Sequence, residues 1–167
     1  EFIGLKVLDA TGQGRTSDVL AALEFVIQNK RRLGIDIVNL SMGHPILEPA
    51  ATDPLVQAVE RAVAAGLIVV TSAGNIGQHP ETGAIGYAGI TSPGNAPSAL
   101  TVGAVRHRGT TSRADDVVSD FSSRGPTWYD GLIKPDVLAP GHGLFSSAAA
   151  GSTLARTSTL SAGGQDA

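Results

Sequence analysis

The sequence predicts an α/β protein with a mostly parallel sheet. Three apolar runs, at residues 2–8, 35–40 and 67–71, alternate with two segments of helical periodicity. This β-α-β-α-β order implies right-handed crossovers and therefore parallel neighbouring strands. The chain has 167 residues, of which 42% are hydrophobic and 16% charged, so it is long and apolar enough to bury a core.

The first helix is expected after the glycine-containing loop at residues 9–14. Ser17 or Asp18 can cap its N-terminus, and the helix runs to about Arg32 before Gly34 ends it. Its apolar face, at helical spacing, consists of Val19, Leu20, Leu23, Val26 and Ile27.

The second helix has the clearer boundaries. Asp53 is a favourable N-cap residue, Pro54 suits the first helical position, and Gly66 suits the position after the C-cap. Its buried stripe consists of Leu55, Val56, Val59 and Val63. The strand at residues 67–71 follows directly.

The second half of the chain is richer in loops. A glycine-rich loop at residues 75–94 leads to a strand at 100–105, and the polar stretch at 106–116 is predicted to be a surface excursion. A short strand is expected between the prolines of residues 134–141. Residues 146–167 are mostly Ser, Ala, Thr and Gly, so we expect a flexible tail there.

Composition excludes several classes of function. The chain has no cysteine, which rules out a disulfide framework and a thiol nucleophile, and its net charge of −3 argues against nucleic-acid binding. The glycines at residues 12–14 lack the third glycine of a dinucleotide fingerprint, and none of the four histidines has metal-ligand spacing. No apolar run reaches the length of a membrane span. The chain opens on an apolar run without methionine, and we expect it to be a piece of a longer polypeptide.

Three loops follow predicted strands, and they suggest a peptide-binding edge. Residues 12–14, 41–43 and 72–75 all lie at carboxyl ends of parallel strands, where binding sites form. Glycine-rich backbone lets another extended chain approach and pair with it. The amide of Asn75 could donate to a developing oxyanion, although an asparagine in a turn is also explained by loop geometry alone.

Seven blocks, in this order and spacing, resemble the subtilisin-like serine proteases, above all bacterial ones. The blocks are Leu5-Lys6-Val7-Leu8, Val38-Asn39-Leu40-Ser41-Met42-Gly43, Val70-Thr71-Ser72-Ala73-Gly74-Asn75, Ser92-Pro93-Gly94-Asn95-Ala96-Pro97-Ser98, Thr101-Val102-Gly103-Ala104, Phe121-Ser122-Ser123-Arg124-Gly125-Pro126 and Lys134-Pro135-Asp136-Val137-Leu138-Ala139-Pro140-Gly141. The resemblance implies a three-layer sheet of the subtilisin type. It makes residues 1–145 a partial peptidase domain and 146–167 a tail that leads toward a missing serine motif.

The resemblance also implies a role for each loop. Asn75 matches the side-chain donor of the oxyanion hole. The residues matched to substrate binding, as backbone edges or walls of the S1 pocket, are Gly12, Gln13, Gly14, Ser41, Met42, Gly43, Ser72, Ala73, Gly74, Thr91, Ser92 and Pro93. Pro93 matches a proline that is often cis in the family.

A weak cation site is implied as well. The backbone carbonyls of Gly94, Ala96 and Ala99 match its ligands, and the ion would be a structural calcium or sodium. The resemblance requires no cofactor for the chemistry itself.

The catalytic triad of the family is not found in this chain. Its Asp and His motifs should precede residue 1, and its Ser motif should follow residue 167. The Asp-bearing strand of the family lies between the strands matched by residues 2–8 and 35–40, so the predicted fold is incomplete. We therefore expect self-association or completion by flanking segments, because unpaired strand edges are costly to bury.

Three functions remain open. The chain is predicted to be a segment of a secreted or extracytoplasmic serine endopeptidase that binds extended peptides. The alternative is a catalytically inert peptide-binding or structural fragment. A weaker hypothesis assigns slow ester hydrolysis to local groups such as Ser72, Ser122, Ser123, His79 or His142.

Overall fold

A computed structural model describes residues 1–144, 149 and 152 of the chain. Within them, helices and strands follow one another as α1 (Thr16–Leu33), β1 (Ile37–Leu40), α2 (Pro54–Ala64), β2 (Ile68–Ser72), β3 (Leu100–Arg106), β4 (Val117–Val118) and β5 (Val137–Pro140). The predicted tail at 146–167 lies outside the described residues, apart from 149 and 152.

The strands form one mixed sheet that is mostly parallel, as predicted. β1 pairs with β2 in parallel, with Ile37 opposite Ile68, and β2 pairs with β3 in parallel, with Val70 opposite Leu100. β5 is parallel to β3, whereas the two-residue β4 is antiparallel to it. The sequence did not predict β4, which directly follows the polar excursion.

The start of α1 corrects the predicted cap. Arg15, with extended φ and ψ of −100° and 142°, occupies the N-cap position without a side-chain hydrogen bond, so Ser17 and Asp18 lie inside the first turn. Asp18 still suits that turn, because a negative charge is favourable near a helix N-terminus. The helix ends before Gly34 (φ 64°), as predicted.

The predicted strand at residues 2–8 is wrong, since this segment has no regular structure. Phe2 is fully exposed, and only Val7 packs against the core. A strand requires a neighbour for its backbone N–H and C=O groups, and in the described part of the chain β1 pairs with β2 alone. Residues 2–8 have no sheet partner among the described residues and therefore do not form a strand.

The core lies between the two helices and one face of the sheet. Leu23 of α1, Val59 of α2 and Val69 of β2 are among its most buried residues. None of the helices in the described residues is long and apolar enough to cross a membrane.

The opposite face of the sheet is apolar, and neither of the two described helices covers it. Strand pairing places Ile37, Ile68, Leu100 and Val137 on that one face. Their exposed fractions are 60%, 56%, 39% and 45%. We call this surface the open sheet face.

Candidate functional site

The segment at residues 91–93 joins the carboxyl ends of β1 and β2. The Thr91 amide donates to the Ala73 carbonyl at 3.1 Å. His44 and Ser92 exchange two backbone hydrogen bonds, of 3.0 and 2.9 Å, as an isolated antiparallel bridge. The segment therefore lies between the loops that follow the two strands. It brings together the residues that the resemblance matched to the S1 pocket.

Two glycines make this close approach possible. A Cβ on Gly43 would lie 2.6 Å from the Ser92 carbonyl oxygen. A Cβ on Gly74 would lie 2.9 Å from side-chain atoms of both Thr91 and Ser123, and its φ of +103° is one that L side chains rarely adopt. A larger residue at either position would push the segments apart. Both loops therefore present bare backbone.

Asn75 lies in the exposed turn after β2, and Ser123 holds that turn on both sides. The Ser123 amide donates to the Gly74 carbonyl at 3.0 Å, and the Ile76 amide donates to Ser123 Oγ at 3.0 Å. Ser123 itself is buried. Within the described residues the Asn75 carboxamide has no hydrogen-bond partner, so both its N–H groups can donate to a bound molecule.

The glycine loop before α1 is held by its own hydrogen bonds, which converge on the Asp9 carboxylate. Asp9 Oδ1 accepts from the Thr11 hydroxyl at 2.7 Å and from the amides of Thr11 and Gln13 at 2.8 and 3.1 Å. These bonds, the hydroxyl bond foremost, hold the pKa of Asp9 below its usual value. No hydrogen bond among the described residues joins this loop to the loops after β1 and β2. The predicted substrate edge at 12–14 is thus positioned by its own turn.

Asp53 contributes to the site in a way that the sequence did not predict. Its Oδ1 caps α2 by accepting from the amides of Leu55 and Val56, at 2.8 and 3.3 Å. Its Oδ2 accepts from the Ser92 hydroxyl at 2.7 Å, next to the cis bond that precedes Pro93. The sequence predicted that Asp53 caps the second helix. No local pattern indicated the second bond, because its partners are 39 positions apart.

The local serines and histidines do not form a nucleophile. Among the described residues no serine hydroxyl bonds to a histidine, and the two serines at 122–123 are buried. Each of their hydroxyls already accepts a hydrogen bond from a backbone amide. The His142 ring stacks on Phe121 with ring centroids 5.8 Å apart, and His79 Nδ1 accepts an amide bond within its own turn. The weak esterase hypothesis therefore finds no support in this geometry.

The carbonyls matched to a cation site have protein donors nearby. Thr101 Oγ1 donates to the Gly94 carbonyl at 2.7 Å, and Lys134 Nζ donates to the Ala99 carbonyl at 2.8 Å. A metal ion fits this set poorly, because a fixed positive charge already lies against one of its ligands. In the described residues no three His, Asp or Glu side chains are grouped to hold a metal. Whether a cation binds here stays a prediction.

A groove runs along the unpaired edge of β1. It has a volume of about 750 Å³ and lies between that edge, α1 and residues 1–5. Val19, Leu23 and Val26 line it from α1. The groove and the open sheet face adjoin at β1, where Ile37 belongs to both.

Comparison with known proteins gives consistent matches. The sequence model of the subtilase family, peptidase S8, matches residues 1–166. Serine protease AprX of Bacillus subtilis (strain 168) is 40% identical over 150 residues, which cover 87% of this chain and 32% of that protein. Subtilisin DY of Bacillus licheniformis is 37% identical over 83 residues, covering 50% of this chain and 27% of the relative. The chain thus spans about a third or less of the curated relatives it matches.

Solved structures match over a similar part of the chain. Sphericase superposes with a TM-score of 0.62 and 27% identity, and the S41 psychrophilic protease with a TM-score of 0.61 and 29% identity. Each match covers 81% of this chain and 42% of the solved chain. The α/β architecture is therefore of the subtilisin type.

Proposed function

Because this chain belongs to the subtilase family, we propose that it is the substrate-binding segment of a subtilisin-like serine endopeptidase. In this proposal it supplies the backbone edges that hold an extended peptide and the oxyanion donor Asn75. Peptide-bond hydrolysis proceeds through an acyl-enzyme. The nucleophilic serine and the histidine base come from the segments that carry the triad motifs of the family and that this sequence does not contain. The chemistry needs no cofactor. We also propose that the protein lies outside the cytoplasm. Fractionation of the source cells tests this location.

The turn at Asn75, which is held by two hydrogen bonds to Ser123, is the observation that carries this proposal. The Gly74 carbonyl before Asn75 and the Ile76 amide after it are both hydrogen-bonded to the buried Ser123. An oxyanion donor has to be held in place before charge develops, because reorganisation during the reaction would cost much of its benefit. Among the described residues the carboxamide also has no partner that would compete for its N–H groups. A turn that served only to change chain direction would need neither property.

An inert peptide-binding or structural fragment is the second candidate. It is favoured by the lack of a serine–histidine pair among the described residues. The bare backbone at Gly43 and Gly74 would serve such a fragment equally well. The two candidates differ only in what the segment does when a triad is supplied.

A fluorophosphonate probe separates the two candidates. We expect the 167-residue chain alone to remain unlabelled while it binds an extended fluorescent peptide in an anisotropy titration. Joined to the Asp, His and Ser segments of the family, it should become labelled at the nucleophilic serine and should cleave a chromogenic peptide. The matched control replaces that serine by alanine. A folded, complete polypeptide that binds the peptide but takes no label would refute the endopeptidase proposal in favour of the inert fragment.

We further propose that the groove along β1 and the open sheet face are covered by another polypeptide segment or by a second copy. Ile37 belongs to both surfaces, and its side chain is 60% exposed. An edge strand with apolar surface beside it is a typical template for pairing with another chain.

The isolated chain is therefore expected to self-associate in sedimentation velocity experiments. Ile37→Lys should shift the distribution toward monomer, because it places a charge on the edge strand and on the open sheet face. Leu47→Lys is the matched control, since Leu47 is 73% exposed in a loop outside the sheet. A clean monomer that melts cooperatively would contradict this part of the proposal.

A further inference from the structure

Lys134 is a buried lysine at the base of the loop that carries the predicted S1 wall. Its side chain is 4% exposed. Its Nζ donates to the Ala99 carbonyl at 2.8 Å and to Asp136 Oδ2 at 2.7 Å. An ammonium is buried at acceptable cost only when it is paired and hydrogen-bonded, and both conditions are met here. Both hydrogen bonds are charge-assisted, because the donor is an ammonium group, and both have the length usual for such bonds.

The partner carboxylate extends this contact into a network. Asp136 Oδ2 also accepts from the Thr101 amide at 2.7 Å, and Thr101 Oγ1 donates to the Gly94 carbonyl at 2.7 Å. Burial opposes ionisation of Asp136, but the bonds from Lys134 and Thr101 hold its pKa below the usual value. The segment before β5 is thereby bonded to the C-terminal end of residues 94–101, and Thr101 links that end back to Gly94.

The oxygen atoms around the ammonium are those that a hard cation prefers. Carboxylate and backbone carbonyl oxygens are typical ligands of calcium. The carbonyl of Ala99 is one of the three oxygens that the resemblance assigns to a weak cation site. The Lys134 ammonium contacts that oxygen and the adjacent Asp136 carboxylate, so its positive charge would repel a metal ion bound there.

We propose that the Lys134 ammonium replaces the structural cation, so that the loop at residues 91–99 is fixed without a bound metal ion. The lysine is covalently part of the chain, and its position does not depend on metal concentration. The substrate-binding wall formed by 91–93 then keeps its geometry in the presence of a chelator.

Thermal unfolding of the 167-residue chain with and without calcium tests this. We expect the wild-type Tm in calcium chloride to equal that in choline chloride of matched ionic strength, and chelation to have no effect. Lys134→Glu places a second carboxylate beside Asp136, and its Tm should rise with the logarithm of calcium concentration. Titration calorimetry on that variant should show one calcium site. Hydrogen exchange should locate the added protection in residues 94–101.

Lys30→Glu is the matched control. Lys30 Nζ also bonds two backbone carbonyls, of Ala65 and Gly66, at 3.0 and 2.6 Å, but no carboxylate of the described residues pairs with it. Its replacement should therefore create no calcium response. If Lys134→Glu folds only when calcium is added, that result supports the proposal.

Two results would overturn the proposal. One is a calcium-dependent rise of the wild-type Tm above the choline control, because the ammonium would then not have replaced the ion. The other is a folded Lys134→Glu without a calcium response. If that variant does not fold under any condition, Lys134→Gln decides instead. Its neutral amide can ligate a cation, and a folded Gln variant with no calcium-dependent protection of 94–101 also counts against the proposal.

Discussion

Asn75→Ala, in a polypeptide that supplies the triad of the family, is expected to lower kcat about 10²–10³-fold with little change in KM. This magnitude is the one known for the oxyanion-hole asparagine of subtilisin, to which the proposed function likens Asn75. The reason for the split is that the oxyanion exists only in the transition state. Steady-state kinetics on a chromogenic peptide measure both constants.

The position of the turn makes this prediction specific to the side chain. Ser123 bonds the backbone on both sides of Asn75, so truncating the exposed side chain should leave the turn in place. Gln28→Ala, which removes an exposed amide on α1, is the control and should leave kcat unchanged. Equal changes in kcat and KM for Asn75→Ala would show instead that Asn75 only shapes the loop.

Asp53→Ala is expected to reduce the free energy of unfolding by about 3 kcal/mol. Loss of an N-cap typically costs about 0.5–2 kcal/mol. Leaving a buried polar group such as the Ser92 hydroxyl without its partner adds about 1–3 kcal/mol. Asp53 and Ser92 are both almost completely buried, so water cannot replace the lost carboxylate without rearrangement. Urea denaturation followed by far-UV circular dichroism measures the change.

Two further variants separate the roles of Asp53. Thr52→Ala removes an exposed hydroxyl that bonds the Pro49 carbonyl, and it should cost less than about 0.5 kcal/mol. Asp53→Asn retains a good cap and should cost less than the alanine variant. If Asp53→Ala proves as mild as Thr52→Ala, the link between α2 and Ser92 does not stabilise the fold.

Local physical chemistry made much of the architecture readable from the sequence. The second helix begins after Asp53 and ends before Gly66 because capping and glycine geometry depend on neighbouring residues alone. The strand ending at Ser72 follows from a β-branched apolar run. Seven ordered motifs also identified the family, which the matches with known proteases confirmed.

The fate of residues 2–8 depended on a contact that no local pattern encodes. The run is apolar and suited to a strand, but a strand is stable only beside a partner. Among the described residues β1 keeps an unpaired edge, but residues 2–8 do not pair with it and remain irregular. An apolar, β-branched composition therefore does not by itself make a strand, because β-structure is a property of pairs of segments.

The sequence by itself determined the fold class, the capped second helix and the two loops that follow β1 and β2, because each follows from periodicity, turn chemistry or motif. Only the tertiary structure decided how those loops are held. Ser123 is hydrogen-bonded to Ile76 in the turn of Asn75, 47 positions away, and Lys134 is hydrogen-bonded to Ala99, 35 positions away. Such bonds join residues that are distant in the chain, and their geometry exists only once the sheet has brought its strand ends together.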